Sequence, residues 1–391
     1  MSSSCERNKT GFSLSLRESL TVGSMRYDLS KLPVSTMFAP VTAATAALTR
    51  LDERVARSPL REGWIARSHF SDAVASLWVD GELVHLEDLV LHDASMGVRA
   101  PTHELTIAHD VLRTRRRILL HEPAWALSAD GVLRGRSTGD CSADTGPTVP
   151  EYQRVVDPDN DEDDADDPLA KQLAEMDAVL ARSEALISGA SQPARTASRD
   201  RNPFVYEPDW DEDSRLQEWR AVLTETEALP PVLRAVLLLD AWHQLQVLQH
   251  APWLGRLLAG AVLRETGVSS SHLVAVNLGM KQVQRERRAS RDRDTRLSAF
   301  VDALKASAEL GMKDHDRLLL ARQQMQHRLA GRRASSKLPQ LIELVLAKPM
   351  VSAGMIAEEL RVTPQGALKI AAELNLRELT GRGRFRAWGV L

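Results

Sequence analysis

A chain of 391 residues with 43% apolar side chains is long enough for two or three domains and can fill a real core. Two cysteines, Cys5 and Cys141, exclude a disulfide framework or a cysteine-based zinc site, and no apolar run reaches the roughly eighteen residues of a membrane helix, because "PPVLRAVLLLDAW" is cut by Arg234 and Asp240. The formal charge of -3 hides an asymmetry: Leu278 to Leu391 carries 22 Lys+Arg against 12 Asp+Glu, a net +10, leaving -13 upstream, so a polyanion is the expected partner of the basic third alone.

Residues 1–24 are Ser-rich, mixed in charge and without the apolar centre of a secretory signal, and read as a disordered leader ahead of Met25 in a cytoplasmic protein. Residues 25–135 predict an N-terminal helical domain. Leu48, Leu51 and Val55 share one helical face, Phe70, Val74 and Leu77 a second, and Leu105, Ala108 and Leu112 a third, with Pro59, Gly81 and Pro101 as breaks. "HELTIAH", starting at His103, has the wrong spacing for two metal ligands on one turn, so no metal site and no cofactor are expected.

Residues 136–215 change character. "VDPDNDEDDADDP" is too charged to order itself, and "SGASQPARTASRDRNP" has linker composition. Between them Leu169, Leu173, Met176 and Leu180 predict one amphipathic helix. The segment reads as a linker with a docking helix; its acidic tract also has the charge of a nucleic-acid mimic able to cover the basic third. Helices resume over 216–331.

Residues 332–391 carry the strongest signal. "PQLIELVLAK" and "SAGMIAEEL" predict two helices, and "TPQGALKIAAELN" a third, with Thr363 as its cap and Pro364 at its first position. "LRELT", "GRGR" and "FRAWGVL" then predict a strand, a Gly-containing turn and a second strand. Three helices followed by a hairpin make a winged helix-turn-helix. With Leu368, Ala371, Ala372 and Leu374 turned inward, Gln365, Gly366 and Lys369 face double-stranded DNA, where Gln pairs with adenine and Lys reaches guanine or phosphate. Arg382, Arg384 and Arg386 cluster on the wing, and Arg332, Arg333 and Lys337 add phosphate contacts. A winged domain used only for protein docking is the rival reading.

With those residues in hand the chain resembles the Fic (filamentation induced by cAMP) proteins that carry an inhibitory helix and a C-terminal winged helix and, more narrowly, a family of rhizobial, often plasmid-borne, helix-turn-helix proteins. In "ASLWVDGELVHLEDLVL", Ser76, Asp80 and Gly81 fill the positions of the Fic inhibitory segment, with Asp in place of the usual Glu. In "LQHAPWLGRLLAGAVL", His250 and Pro252 stand at the start of the Fic motif and Gly255 and Arg256 at its end, while about five residues between them, including the acidic, Asn and first Arg positions, are missing. The resemblance assigns such a histidine a general-base role and the glycine-rich turn a phosphate cradle. Without the cradle the transfer reaction loses its positioning and charge stabilisation. His250 is therefore expected to be a helix-end residue, Arg256 structural, Asp80 a restraint without its arginine, and no residue catalytic.

The expected molecule is mainly α: a helical Fic-like body followed by a winged helix-turn-helix with a small β-hairpin. Its expected role is DNA-binding regulation, transcriptional or plasmid-associated, as a possible homodimer and without a membrane partner. A divergent adenylyl- or phosphoryl-transferase and an interaction scaffold or antitoxin-like partner are the alternatives.

Overall fold

Apolar side chains recurring at helical spacing build most of this computed structural model, which describes residues 27–95, 100–128, 131–133, 210–329, 337–374, 376–379 and 386–389. The leader, the acidic tract, the 169–180 island, Arg332, Arg333, Arg382 and Arg384 lie outside the described residues.

In α1 (Val34–Ala56), Met37, Val41, Ala44, Leu48, Leu51 and Val55 form one buried stripe. α2 (Arg61–Asp80) ends at Gly81, whose φ of 94° is the left-handed conformation that lets Gly81 N and Glu82 N reach the carbonyls of Trp78 and Leu77. α3 (Leu86–Asp93) and α4 (His103–Leu120) follow, the latter capped by Thr102 accepting from Leu105 N at 3.2 Å.

After the linker, α5 (Glu212–Glu225) starts behind Asp211, which accepts from Ser214 N at 3.0 Å. α6 (Pro231–Leu245) and α7 (Leu254–Glu265) are buried on nearly every side and form the middle of the body. α8 (Val276–Gln282), α9 (Arg285–Arg288) and α10 (Arg293–Leu329) complete it, and α10, with 37 residues, spans roughly 55 Å. α10 packs on α1 and α8, and α2 on α4 and α8.

Two glycines let helices of the body approach closely. A Cβ on Gly255 would meet the Trp242 indole at 2.2 Å, and one on Gly279 would lie 1.9 Å from the Ala303 carbonyl oxygen. Both allow backbone to sit where any larger residue would force the helices apart.

The C-terminal helices are α11 (Leu338–Ala347), α12 (Ala353–Leu360) and α13 (Pro364–Glu373). Arg361, at φ 50°, makes the tight turn between the last two. The expected hairpin is present as β2 (Arg377–Glu378) paired antiparallel with β3 (Ala387–Gly389), and β1 (Val351–Ser352) adds a third strand on the other side of β3, with Glu378 and Val351 both opposite Trp388. β1 has only two residues, too few for alternation to register in sequence. Ser352 also caps α12 by accepting from Met355 N at 3.2 Å.

The winged unit and the body share one compact unit and one continuous apolar core. Arg67 of α2 donates to the carbonyls of Val345 and Lys348 at 3.3 and 2.6 Å, satisfying the C-terminal end of α11, and Arg328 of α10 does the same for Leu374 behind α13 at 2.6 Å. Gly63 lets α2 approach the backbone of Leu346.

The α8–α10 contact predicts that Gly279→Ala destabilises the fold by about 1–3 kcal/mol or more, because backbone, not a flexible side chain, blocks the new methyl group; chemical denaturation of both proteins measures it. Burial also holds the imidazoles of His69 and His272 below the ordinary 6.5, with nearby Arg115 opposing their charge. An unfolded chain then binds protons near pH 6.5 that the folded chain does not, so stability should fall as pH drops below that value. His272→Gln should flatten part of that slope in melts taken from pH 7.5 to 5.

Candidate functional site

Two sets of side chains carry chemistry: the outer face of α13 and a buried polar network around Arg256. α13 begins as its sequence dictates, with Thr363 Oγ1 accepting from Gly366 N at 3.1 Å and Pro364 at the first position. Its inward face is Ala367, Ala371 and Leu374, with Ile370 half-buried. The expectation of an inward Leu368 and Ala372 is corrected: both are exposed, one position out of phase, because alanines on either side of the helix leave the periodicity ambiguous.

Gln365 and Lys369 are exposed as expected, so the open face is Gln365, Leu368, Lys369 and Ala372. Such a face offers an amide, an ammonium and two apolar groups that suit a thymine methyl. Gly366 is half-buried, and a Cβ there would press on Thr363 Oγ1 at 3.2 Å, so this glycine protects the cap.

Of the remaining basic candidates among the described residues, Lys337 is exposed at the start of α11. Arg386 is not a lone cation on the wing. Its Nε and Nη2 donate to Glu378 Oε2 at 2.9 and 2.7 Å, which raises its pKa, and its guanidinium lies over the Trp388 ring, 5.6 Å from the centroid.

In the body, His250 sits between α6 and α7 with Nδ1 3.4 Å from Glu212 Oε1. Ala251 and Trp253 beside it are buried, and Gly255 is committed to the Trp242 indole. Arg256 is buried and nearly saturated. Its Nη1 donates to Asp80 Oδ1 at 2.8 Å, Nη2 to Asp80 Oδ2 at 2.6 Å and to Ser76 Oγ at 3.0 Å, and Nε to Asn277 Oδ1. The expectation that Asp80 has lost its arginine is thereby corrected: Arg256, 176 positions away, is its bidentate partner.

The network continues through residues that sequence reasoning missed. Asn277 Nδ2 donates to Asp72 Oδ2 at 2.8 Å, Leu278 N to Asp72 Oδ1 at 3.0 Å, and Arg115 Nη1 also to Asp72. Arg115 Nη2 reaches the Leu273 carbonyl at 3.0 Å. The Asp72 and Arg115 side chains are both 0% exposed. A signal was present, since Asp72, Ser76 and Asp80 are spaced i, i+4, i+8 on one face of α2.

A guanidinium held this way has four of its N–H directions occupied, so an incoming phosphate must first displace Asp80 and Ser76. The arrangement ties α2, α4, α7 and α8 together. Among the described residues no cluster of three or more His, Cys, Asp or Glu could hold a metal ion, and no helix is long and apolar enough to cross a membrane.

Two parts of the chain match known families. Residues 204–330 match the family described as protein of unknown function (DUF1612), and residues 338–391 match an HTH DNA binding domain. The chain is 55% identical over 383 residues to the uncharacterized protein y4cF of Sinorhizobium fredii, covering 94% of this chain and all of that protein.

Replacing Arg115 with Met leaves the Asp72 carboxylate buried without its ion partner, which should cost about 3–5 kcal/mol. Arg115→Met and wild type compared in urea titrations should differ by that amount, while Arg117→Met on the same helix should lie within about 1 kcal/mol of wild type.

Proposed function

Since the chain belongs to the family of the Sinorhizobium fredii protein y4cF and ends in a helix-turn-helix DNA-binding domain, we propose that it is a DNA-binding regulator, transcriptional or plasmid-associated, that reads sequence with α13. The observation that carries this reading is the open outer face of α13, Gln365, Leu368, Lys369 and Ala372, set on a buried face of Ala367, Ala371 and Leu374. An exposed leucine between an amide and an ammonium suits a base edge in the major groove better than water. The net +10 from Leu278 onward supplies the sequence-independent attraction to phosphate, with Arg332, Arg333, Lys337, Arg382 and Arg384 as its proposed contacts. Arg386 joins them by exchanging Glu378 for a phosphate.

The same proposal takes the body as a degenerate Fic-like scaffold without transfer activity. Support comes from the engagement of Arg256 by Asp80 and Ser76 and from the packing of Gly255 against Trp242, which together commit the remaining motif positions to structure. His250 alone provides a base, worth about a hundredfold to ten-thousandfold, with nothing to hold a triphosphate. Self-labelling by radiolabelled ATP with magnesium, lost in His250→Ala, would instead establish a transferase.

Binding of the full chain to genomic fragments should enrich particular sequences and weaken steeply with salt, each phosphate contact adding about 0.9 to the log-log slope. Lys369→Ala should lower that slope by about 1 if it meets phosphate, and Gln365→Ala should cost about 1–3 kcal/mol on the enriched site but little on random DNA. Absence of both enrichment and salt dependence overturns the reading in favour of a docking role.

A further inference from the structure

Excess positive charge is not confined to the winged unit. Lys281 to Arg291 carries five Lys+Arg against Glu286 alone, so this short piece of the body supplies +4 of the net +10 found beyond Leu278. It covers the end of α8, all of α9 and the approach to α10.

Little of that charge is neutralised. Elsewhere in the body Arg54, Arg116 and Arg234 each meet a carboxylate on another helix, that of Asp316, Asp93 and Glu265. Within the stretch Arg287 does the same, with Asp302 at 2.8 Å. Lys281, Arg285 and Arg291 are exposed and form no ion pair among the described residues. The acids beside them are engaged: Asp292 accepts from Thr295 N at 3.0 Å in the first turn of α10, and Asp80 is held by Arg256.

The cations are also ordered. Trp78, 38% exposed in the last turn of α2, has Lys281 Nζ 5.4 Å and the Arg288 guanidinium 5.2 Å from its ring centroid. Arg288 is buried behind this surface and donates to the Met280 carbonyl at 3.3 Å; burial, then the charges of Arg256 and Arg285, lower its pKa. Like charges gathered in this way repel one another in the free chain, and a polyanion relieves the repulsion. A base stacking on Trp78 competes with two cations already over the ring, so the surface suits phosphates along a backbone better than unpaired bases.

α2 relates this surface to the winged unit. Gly63 and Arg67, in its first half, meet the end of α11, and Trp78 lies beyond Arg67 by roughly 17 Å of helix, half of a duplex turn of about 34–36 Å. We propose that Lys281, Arg285 and Arg291, gathered beside Trp78, form a second DNA contact on the body, which grips phosphates of the duplex flanking the site read by α13. This contact rests on the DNA-binding reading for its partner, and adds to it a grip that is indifferent to sequence.

Titration of the full chain with a random-sequence duplex of about 36 base pairs, at salt from about 50 to about 200 mM, tests the contact without reference to the bases that α13 reads. Lys281→Ala/Arg285→Ala/Arg291→Ala should lower the log-log salt slope by about 2–3, so that the wild type's advantage shrinks about fortyfold across that range. Arg50→Ala/Lys313→Ala, which removes exposed cations from α1 and from further along α10, should leave the slope within about 0.5 of wild type. The three patch side chains are exposed and without ion pairs, so the variant's circular dichroism and melting should match wild type; should it fail to fold, Arg285→Ala alone should lower the slope by about 1. An unchanged slope in the folded variant, or an equal loss in the α1/α10 control, overturns the contact and leaves the reading by α13 standing. A lowered slope with no sequence selected by the wild type keeps the contact and overturns that reading. Absence of any DNA binding overturns both, and tighter binding of the single-stranded form of the same DNA overturns the assignment to duplex.

Discussion

Everything in the body hangs on one ion pair removed from water, Asp72 with Arg115. A carboxylate in that position is tolerable only because Arg115, Asn277 and the Leu278 amide all donate to it. Those donors come from α4 and from the start of α8, so solvating one charge on α2 fixes the relative placement of three helices. Apolar packing alone would allow neighbouring helices to slide by a turn at modest cost; a buried ion pair with directional partners does not. Arg256 extends the same logic to α7 and the end of α2 through Asn277, Ser76 and Asp80.

The two halves of the described structure are stabilised differently. The body buries charges and satisfies them: Asp72, Asp52 and Asp240 each collect several donors, the last from Tyr27 and Arg296. The winged unit has a small, almost wholly apolar interior of Leu341, Ile342, Val345, Ile356, Leu360 and Trp388, and keeps its polar residues outside. That difference suits a scaffold that must hold one arrangement and a module whose outer face must stay available.

Much of this was legible in sequence where a local rule applies. The α1 stripe, the Gly81 stop, the Thr363-Pro364 start and the three C-terminal helices follow from spacing and capping, which involve neighbours a few residues apart. What escaped is long-range or weakly patterned. Nothing local announces that Arg256 will meet Asp80, that Arg115 will meet Asp72, or that Asp52 will gather Ser270, Ser271 and His272. The phase of α13 failed because Ala367, Ala371 and Ala372 are equally small, so only the surrounding packing decides which of them turns inward. β1 escaped because two residues cannot display a period.

Arg67, Gly63 and Arg328 join the winged unit to the body at three separate points, on two helices of the body and at the ends of two helices of the unit. A reader mounted so firmly cannot swivel independently to search for its groove, as one on a flexible tether does. Its aim is inherited from the scaffold. Any assembly that paired two such scaffolds would fix the distance between their reading helices, and would then choose among DNA sites by the spacing of half-sites along the duplex, in steps of about 34–36 Å per helical turn, as well as by the bases within each.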